Sequence, residues 1–169
     1  MRRMTGLKRT HVLMGLGIAV ATSGLVAAAP PALPDAVSKT FKAKFPQAKI
    51  TEVMSEVEEG VNVYAIEFMD GQSEKAADIA ADGTMLETAS IIPAKELPEA
   101  AMKSILKEAP GATLDTVDRV EITHETRKGY VYKLPATVTQ YEVEVTKSNS
   151  KGELVVNPDG SVVEPVKWK

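Results

Sequence analysis

The stretch "LPEAAMKSILKEAPGATL", residues 97–114, decides the fold, because it repeats the pattern of "LPDAVSKTFKAKFPQAKI", residues 33–50. The two segments align over 18 residues without a gap, at an offset of 64. Six positions are identical: Leu33/Leu97, Pro34/Pro98, Ala36/Ala100, Lys39/Lys103, Pro46/Pro110 and Ala48/Ala112. Self-similarity of this length predicts that the chain contains one structural unit twice.

A second block of similarity lies farther along the chain, at an offset of 77. It pairs Val61/Val138, Tyr64/Tyr141, Glu67/Glu144, Asp82/Asp159, Gly83/Gly160 and Glu87/Glu164. The larger offset means that the second copy carries about 13 extra residues between Asp118 and Val138. This insertion includes "ITHETRKGYVYKLPATV", residues 122–138, and predicts a lengthened hairpin between the first two strands of the second copy.

Each copy begins with the pattern of a short amphipathic helix. Pro34 and Pro98 suit the first helical position, and the acidic residue after each proline favours the positive end of the helix dipole. Apolar residues then recur at four-residue spacing: Val37, Phe41 and Phe45 in the first copy, and Ala101, Ile105 and Ala109 in the second. Pro46 and Pro110 end the helices, since a residue before proline avoids helical geometry.

The segment after each helix alternates with the two-residue period of β-strands. In the first copy this predicts strands at residues 49–58, 61–69, 73–81 and 84–90, with turns at Glu58-Glu59-Gly60 and Asp82-Gly83. A helix and a sheet must bury their apolar sides against each other. We therefore expect an α+β fold of two tandem α-β-β-β-β repeats, each a helix packed on an antiparallel sheet. The pattern leaves open whether the two sheets join.

These motifs resemble the PepSY-like domains, which are related in shape to the β-lactamase inhibitor proteins. The matching stretches are residues 33–50 with Tyr64–Phe68 and Asp82-Gly83, and residues 97–114 with Tyr141–Val145 and Asp159-Gly160. The resemblance implies export to the periplasm or cell surface and a non-catalytic role in binding or inhibiting a protein such as a peptidase. It implies no catalytic residue.

The first 28 residues have the pattern of a signal peptide. A basic start with Arg2, Arg3, Lys8 and Arg9 precedes an uncharged apolar run from Val12 to Ala29, and cleavage after Ala28 fits best. The alternative is an uncleaved anchor, because about 18 apolar residues suffice to span a bilayer. We expect a periplasmic or secreted protein with repeat 1 at residues 33–96 and repeat 2 at residues 97–169.

Composition excludes several classes of activity. The chain has no cysteine, which rules out disulfides, thiolate metal sites and cysteine nucleophiles. All four basic residues of the signal are lost with it, so the mature part has 16 basic and 23 acidic residues. This acidic balance argues against nucleic acid and anionic membranes as partners, and it favours a basic partner.

Enzyme chemistry finds little support in the residues. His11 lies in the signal, so His124 would have to serve any Ser-His-Asp arrangement alone, and no Gly-x-Ser-x-Gly motif occurs. Glu52, Glu56, Glu58 and Glu59 read as a solvated strand face rather than as a calcium loop. We predict no catalytic, cofactor or metal site.

The aromatic residues divide into core and contact positions. Tyr64 and Tyr141 occupy equivalent places in the two copies and are predicted to pack in the core. Tyr130 and Tyr132 lie two apart in the insertion, near Arg127, and Tyr and Arg are favoured in protein interfaces. These three residues are the candidate partner-binding site. The alternative is an extension without a binding role.

Two functional hypotheses follow from these residues. The first is an exported non-catalytic binding module, an inhibitor or regulator of an envelope or secreted protein such as a peptidase. The second is a structural envelope protein, or one that sequesters a small ligand or metal between its two units.

Overall fold

The computed structural model describes residues 32–169; the expected signal peptide and its cleavage site lie outside this range. The chain forms two α-helices and eight β-strands in the order α1 (Asp35–Lys44), β1 (Lys49–Glu58), β2 (Val61–Asp70), β3 (Ser73–Ala80), β4 (Met85–Ile91), α2 (Glu99–Glu108), β5 (Thr113–Arg127), β6 (Tyr130–Lys147), β7 (Ser150–Val156) and β8 (Val162–Trp168). A 3-10 turn at Ala94–Glu96 precedes α2.

All eight strands form one antiparallel sheet in which spatial order equals chain order. The pairing of β4 with β5, from Glu87↔Ile122 to Ile91↔Asp118, joins the first four strands to the last four. The two sheets that the sequence left unconnected are therefore continuous. The expectation of a mixed fold of helices and an antiparallel sheet is confirmed.

Helix α1 packs its predicted apolar stripe against the first four strands. Val37 and Phe41 are buried in one cluster with strand residues that include Ile66 and Phe68. The Phe41 and Phe68 rings meet edge to face with centroids 5.0 Å apart, a favourable aromatic geometry. Phe45 packs against the same cluster while remaining partly exposed.

Helix α2 packs in the same way on the last four strands. Ala101, Ile105 and Ala109 are all buried in a cluster with Tyr141 and other strand residues. Tyr141 is therefore a core residue, as predicted, and Tyr64 packs against the α1 cluster while partly exposed. The prediction that Pro34 and Pro98 occupy the first helical position is wrong by one residue: each is the N-cap, and its carbonyl accepts the first helical hydrogen bond, from Ser38 and Met102 respectively.

Each helix also rests on the turn of a strand hairpin. Thr40 Oγ1 donates to Gly83 O at 2.7 Å, and Ser104 Oγ donates to Gly160 O at 2.6 Å. Gly160 has φ +83°, and a Cβ there would lie 2.6 Å from the carbonyl oxygen of Ala100. Only glycine allows this turn to approach the helix backbone so closely.

We expect Gly160→Ala to lower the free energy of unfolding by more than the roughly 1–2 kcal/mol that a left-handed backbone costs an alanine. The matched control is Gly71→Ala, where φ is +67° and no atom lies within 4 Å of the added Cβ. Urea denaturation of both variants measures the difference. Equal destabilisation would show that the helix does not depend on this close approach.

Candidate interaction surface

The lengthened hairpin of the second half folds back onto the first half. Its two strands, β5 and β6, span 15 and 18 residues. At its tip, the Gly129 N–H donates to the carbonyl oxygen of Glu59 in the β1–β2 turn, with a nitrogen to oxygen distance of 2.6 Å. The hairpin extension, residues 122–138, therefore does not project freely from the sheet.

This contact requires the sheet to curl. Strands β2, β3 and β4 lie between β1 and β5, and four strand spacings correspond to about 19 Å in a flat sheet. A register shift in the β5–β6 pairing, from Ile122↔Val138 to His124↔Lys133, marks the bend. Beyond the bend, Val131 packs against a small apolar cluster formed by Val63, Ala80 and Leu86.

Polar contacts fix the extension along its length. Thr123 Oγ1 lies 3.1 Å from the carbonyl oxygens of both Met85 and Leu86. Thr126 is buried, with 1% of its surface exposed, and its hydroxyl donates to Glu58 at 3.3 Å. Glu58 therefore departs from the predicted solvated acidic face, because the extension partly covers it.

The three predicted contact residues lie together at the outer side of this anchored hairpin. The Arg127 guanidinium carbon is 5.2 Å from the centroid of the Tyr132 ring, which is the geometry of a cation–π interaction. The Tyr130 and Tyr132 rings meet edge to face at 6.4 Å. Tyr130 is 68% exposed and Tyr132 40% exposed. An aromatic and cationic patch is therefore presented on a fixed support.

A second surface lies on the side of the sheet opposite both helices, which we call the helix-free face. Cross-strand partners point to the same side of a sheet. The register places these acidic residues on the helix-free face: Glu52, Glu56, Glu67, Glu74, Asp78, Glu87, Asp118, Glu142, Glu144, Glu153 and Glu164. The face therefore carries a high density of negative charge.

Asp118 has the smallest exposed fraction of these residues, 4%. Burial, together with the nearby carboxylates of Glu142, Glu144, Glu74 and Glu67, raises its pKa to about 7. Burial, Glu52 and Glu74 likewise raise the pKa of Glu67. The acidic groups of β1, β2 and β3 thus act on one another and on those of β5 and β6.

No catalytic arrangement is visible in the part of the chain that the structure describes. His124 is half-buried in β5, and its Nδ1 lies 3.0 Å from the hydroxyl of the adjacent Thr123. Residues 32–169 contain no group of three or more His, Asp or Glu side chains placed to hold a metal ion. Neither helix in that range has the length and hydrophobicity needed to cross a bilayer.

Sequence reasoning found the aromatic patch but missed the acidic surface around Asp118. The alternation within β5 hinted that Asp118, Val120 and Ile122 share a face. Their burial depends on the curl of the sheet and on strands far away in the chain, for which no local signal exists.

Comparison with known families agrees with this architecture. The family model described as "Putative beta-lactamase-inhibitor-like, PepSY-like" matches residues 27–72 and 62–163. The chain belongs to the PepSY-like family. No curated protein matches the chain.

Several solved structures from Bacteroides species are similar to this PepSY-like protein. A DUF2874 family protein of Bacteroides uniformis has a TM-score of 0.58 at 17% identity, over 80% of this chain and 88% of that one. A structure described as "putative periplasmic proteins" from Bacteroides eggerthii has a TM-score of 0.59 at 15% identity, over 82% and 88%. A BLIP-like protein of Bacteroides fragilis has a TM-score of 0.52 at 19% identity, over 85% and 89%. At these identities the likeness concerns the fold.

The raised pKa of Asp118 predicts a pH-dependent stability. Between its ordinary value of 3.8 and about 7, the folded state holds a proton that the unfolded state releases, so stability falls as pH rises through this window. Asp118→Asn keeps the group neutral. We expect the variant to equal the wild type at pH 4 and to exceed it at pH 8 by up to roughly 4 kcal/mol in urea denaturation.

Asp159→Asn should change the stability in the opposite direction. Hydrogen bonds from Ser161 lower the pKa of Asp159, so the charged form of Asp159 stabilises the folded protein at pH values above the ordinary pKa of an aspartate. Replacing Asp159 by Asn should therefore lower stability at neutral pH.

An Asp118→Asn variant that is less stable than the wild type at pH 8 would contradict the burial of the Asp118 carboxyl group.

Proposed function

We propose that this PepSY-like protein is an exported, non-catalytic binding module that inhibits or regulates an envelope or secreted protein such as a peptidase. The observation that carries the proposal is the patch of Arg127, Tyr130 and Tyr132 on the hairpin extension. Membership of the PepSY-like family and the fold shared with a BLIP-like protein support a protein as partner.

The anchoring of the hairpin supports binding at this patch. Interface residues lose conformational entropy when a partner fixes them, and a preorganised surface avoids part of that cost. Here the Gly129 to Glu59 hydrogen bond and the packing of Val131 hold the extension before any partner arrives. Tyr and Arg side chains on such a support are typical of residues that dominate binding energy.

We also infer that the protein consists of two copies of one α-β-β-β-β unit, at residues 33–96 and 97–169. Equivalent contacts support the duplication: Thr40 to Gly83 in the first half corresponds to Ser104 to Gly160 in the second. The offset of 64 relates α1 to α2, and the offset of 77 relates the starts of β3 and β4 to those of β7 and β8. The hairpin extension is then the main feature that distinguishes the copies and the place where a specific function could be added.

Export to the periplasm or the medium fits the same function. The basic and apolar segment at residues 1–28 supports removal of a signal peptide after Ala28. One similar structure is described as periplasmic, which agrees with that location. A protein without cysteine folds there through burial alone.

The Tyr130→Ala/Tyr132→Ala variant tests the proposal. Tagged protein comprising residues 29–169 is mixed with envelope extract of its own cell, and captured proteins are identified by mass spectrometry. We expect the wild type to capture a defined protein and the variant to lose at least about tenfold in affinity, because truncating interface tyrosines typically costs 1–2 kcal/mol or more. The same variant should unfold at an unchanged urea concentration.

The matched control is Ile50→Ala/Leu106→Ala, which removes two exposed apolar side chains elsewhere; these are 42% and 51% exposed. The control should retain the captured protein. Equal capture by the tyrosine variant and the wild type would refute the patch as the binding site. A captured peptidase that loses activity when bound would establish inhibition.

A further inference from the structure

The helix-free face brings like charges opposite each other in the strand ladders. Four cross-strand pairs join two acidic residues: Glu52↔Glu67, Asp78↔Glu87, Asp118↔Glu142 and Glu144↔Glu153. Like charges directly opposite each other destabilise a sheet. A feature that lowers the stability of the free protein indicates a functional use of the surface.

Lysines compensate part of this charge. At the β8 edge, Lys169 pairs with Glu153 at 2.6 Å and Lys167 pairs with Glu164. In the centre of the face, no Lys or Arg of residues 32–169 forms an ion pair with Glu67, Glu74 or Asp118. No cation of these residues therefore offsets the negative potential at these three positions on β2, β3 and β5.

Asp118 provides a second observation that points to a ligand. Only 4% of its surface is exposed, and no Lys or Arg of residues 32–169 lies beside its carboxyl group as an ion-pair partner. Its neighbours across the ladders are Ile91 on β4 and Glu142 on β6. Ionising a carboxyl group with so little exposure costs free energy, and a cation bound beside it would offset that cost.

The floor beside these carboxyl groups is apolar and shallow. Glu67, Ala76 and Ala89 follow one another across three strands in register. The alanine side chains leave room above the sheet, and both are half-buried. The methylene stem of a lysine or arginine can lie on such a floor while its charged group reaches a carboxylate.

The spacing of the charges favours an extended ligand over a single ion. Neighbouring strands place the carboxylates about 4.8 Å apart in rows. Residues 32–169 nowhere gather three of them into a metal-binding group. A chain with several positive charges along an extended backbone matches the rows better.

We propose that the helix-free face binds a cationic polypeptide segment, extended and rich in Lys or Arg, with one of its charges placed at Asp118. This inference rests on the proposed function, because it gives the chemical nature of a segment on the partner protein. The aromatic patch and the acidic face are then two parts of one docking surface. The net charge of the mature chain, with 16 basic and 23 acidic residues, acts in the same direction.

Binding should depend on pH because of the groups that face Asp118. These are Glu67 on β2, Glu74 on β3, and Glu142 and Glu144 on β6, while β4 contributes only the apolar Ile91. A cation at this place favours the ionised carboxylate, so binding releases a proton and affinity rises with pH up to about 7.

The test uses a fluorescent octalysine peptide and fluorescence anisotropy at low ionic strength. Glu67→Gln/Glu74→Gln removes two charges from the face, and the control Glu96→Gln/Glu108→Gln removes two charges from the helix side. We expect the first variant to weaken binding by at least about tenfold, or about 1.4 kcal/mol, and the control to weaken it by less than about twofold. Circular dichroism and urea denaturation check that both variants fold.

Asp118→Asn gives a second, independent readout. Wild-type affinity should rise severalfold from pH 5.5 to pH 8, and in the variant this rise should be smaller because the group cannot ionise. If both double variants weaken octalysine binding equally, the proposal is overturned, because binding would then depend on the net charge of the protein and not on the helix-free face. Absence of octalysine binding would overturn it as well. Spermine that competes as well as octalysine at equal charge concentration would overturn the assignment to a polypeptide.

The experiments distinguish an error in the acidic binding face from an error in the proposed function. If Glu67→Gln/Glu74→Gln still captures the envelope partner at wild-type affinity while the tyrosine variant does not, the acidic face is wrong and the binding module stands. If octalysine binds as expected but no envelope protein is captured, the proposed function is wrong, and the face keeps its affinity for cationic segments.

Discussion

The ladder between β4 and β5 is the contact on which the rest of the structure depends. It joins two four-stranded sheets into one and places both helices on the same side. A helix can cover only one face of a sheet, so the other face is left to the side chains of the strands and to the hairpin extension. The same ladder sets Asp118 in the middle of the sheet rather than at an edge, and this central position is why its carboxyl group is buried.

The helix-free face is divided into two regions of different chemistry. The hairpin extension covers one region, where Val63, Ala80 and Leu86 form an apolar cluster beneath Val131. The other region carries Asp118 and the acidic residues around it. The covered region gives the extension a fixed position, and the acidic region supplies long-range attraction for a basic partner. Charge attraction can bring the partner to the surface without fixing its orientation, and contacts with the aromatic side chains can then fix it.

Local patterns predicted most of the fold. The helices followed from the proline and acid pairs and from four-residue spacing, and the β3–β4 and β7–β8 turns followed from Asp82-Gly83 and Asp159-Gly160. The candidate site was predicted less completely. Tyr130 and Tyr132 could be selected by composition, whereas the Glu59 to Gly129 contact joins residues 70 positions apart and leaves no trace in local sequence. The register shifts after Ile50 and Ile122 change which side chains share a face, so alternation alone could not map the acidic surface.

If the helix-free face, and not the helical side, binds a basic partner, contacts with the ligand should be confined to that face. Nuclear magnetic resonance of ¹⁵N-labelled protein titrated with octalysine locates these contacts. We expect chemical-shift changes at Glu67, Glu74, Asp118 and Glu142 that saturate together, with α1 and α2 unaffected. Changes concentrated on the helices, or spread evenly over all acidic residues, would contradict it.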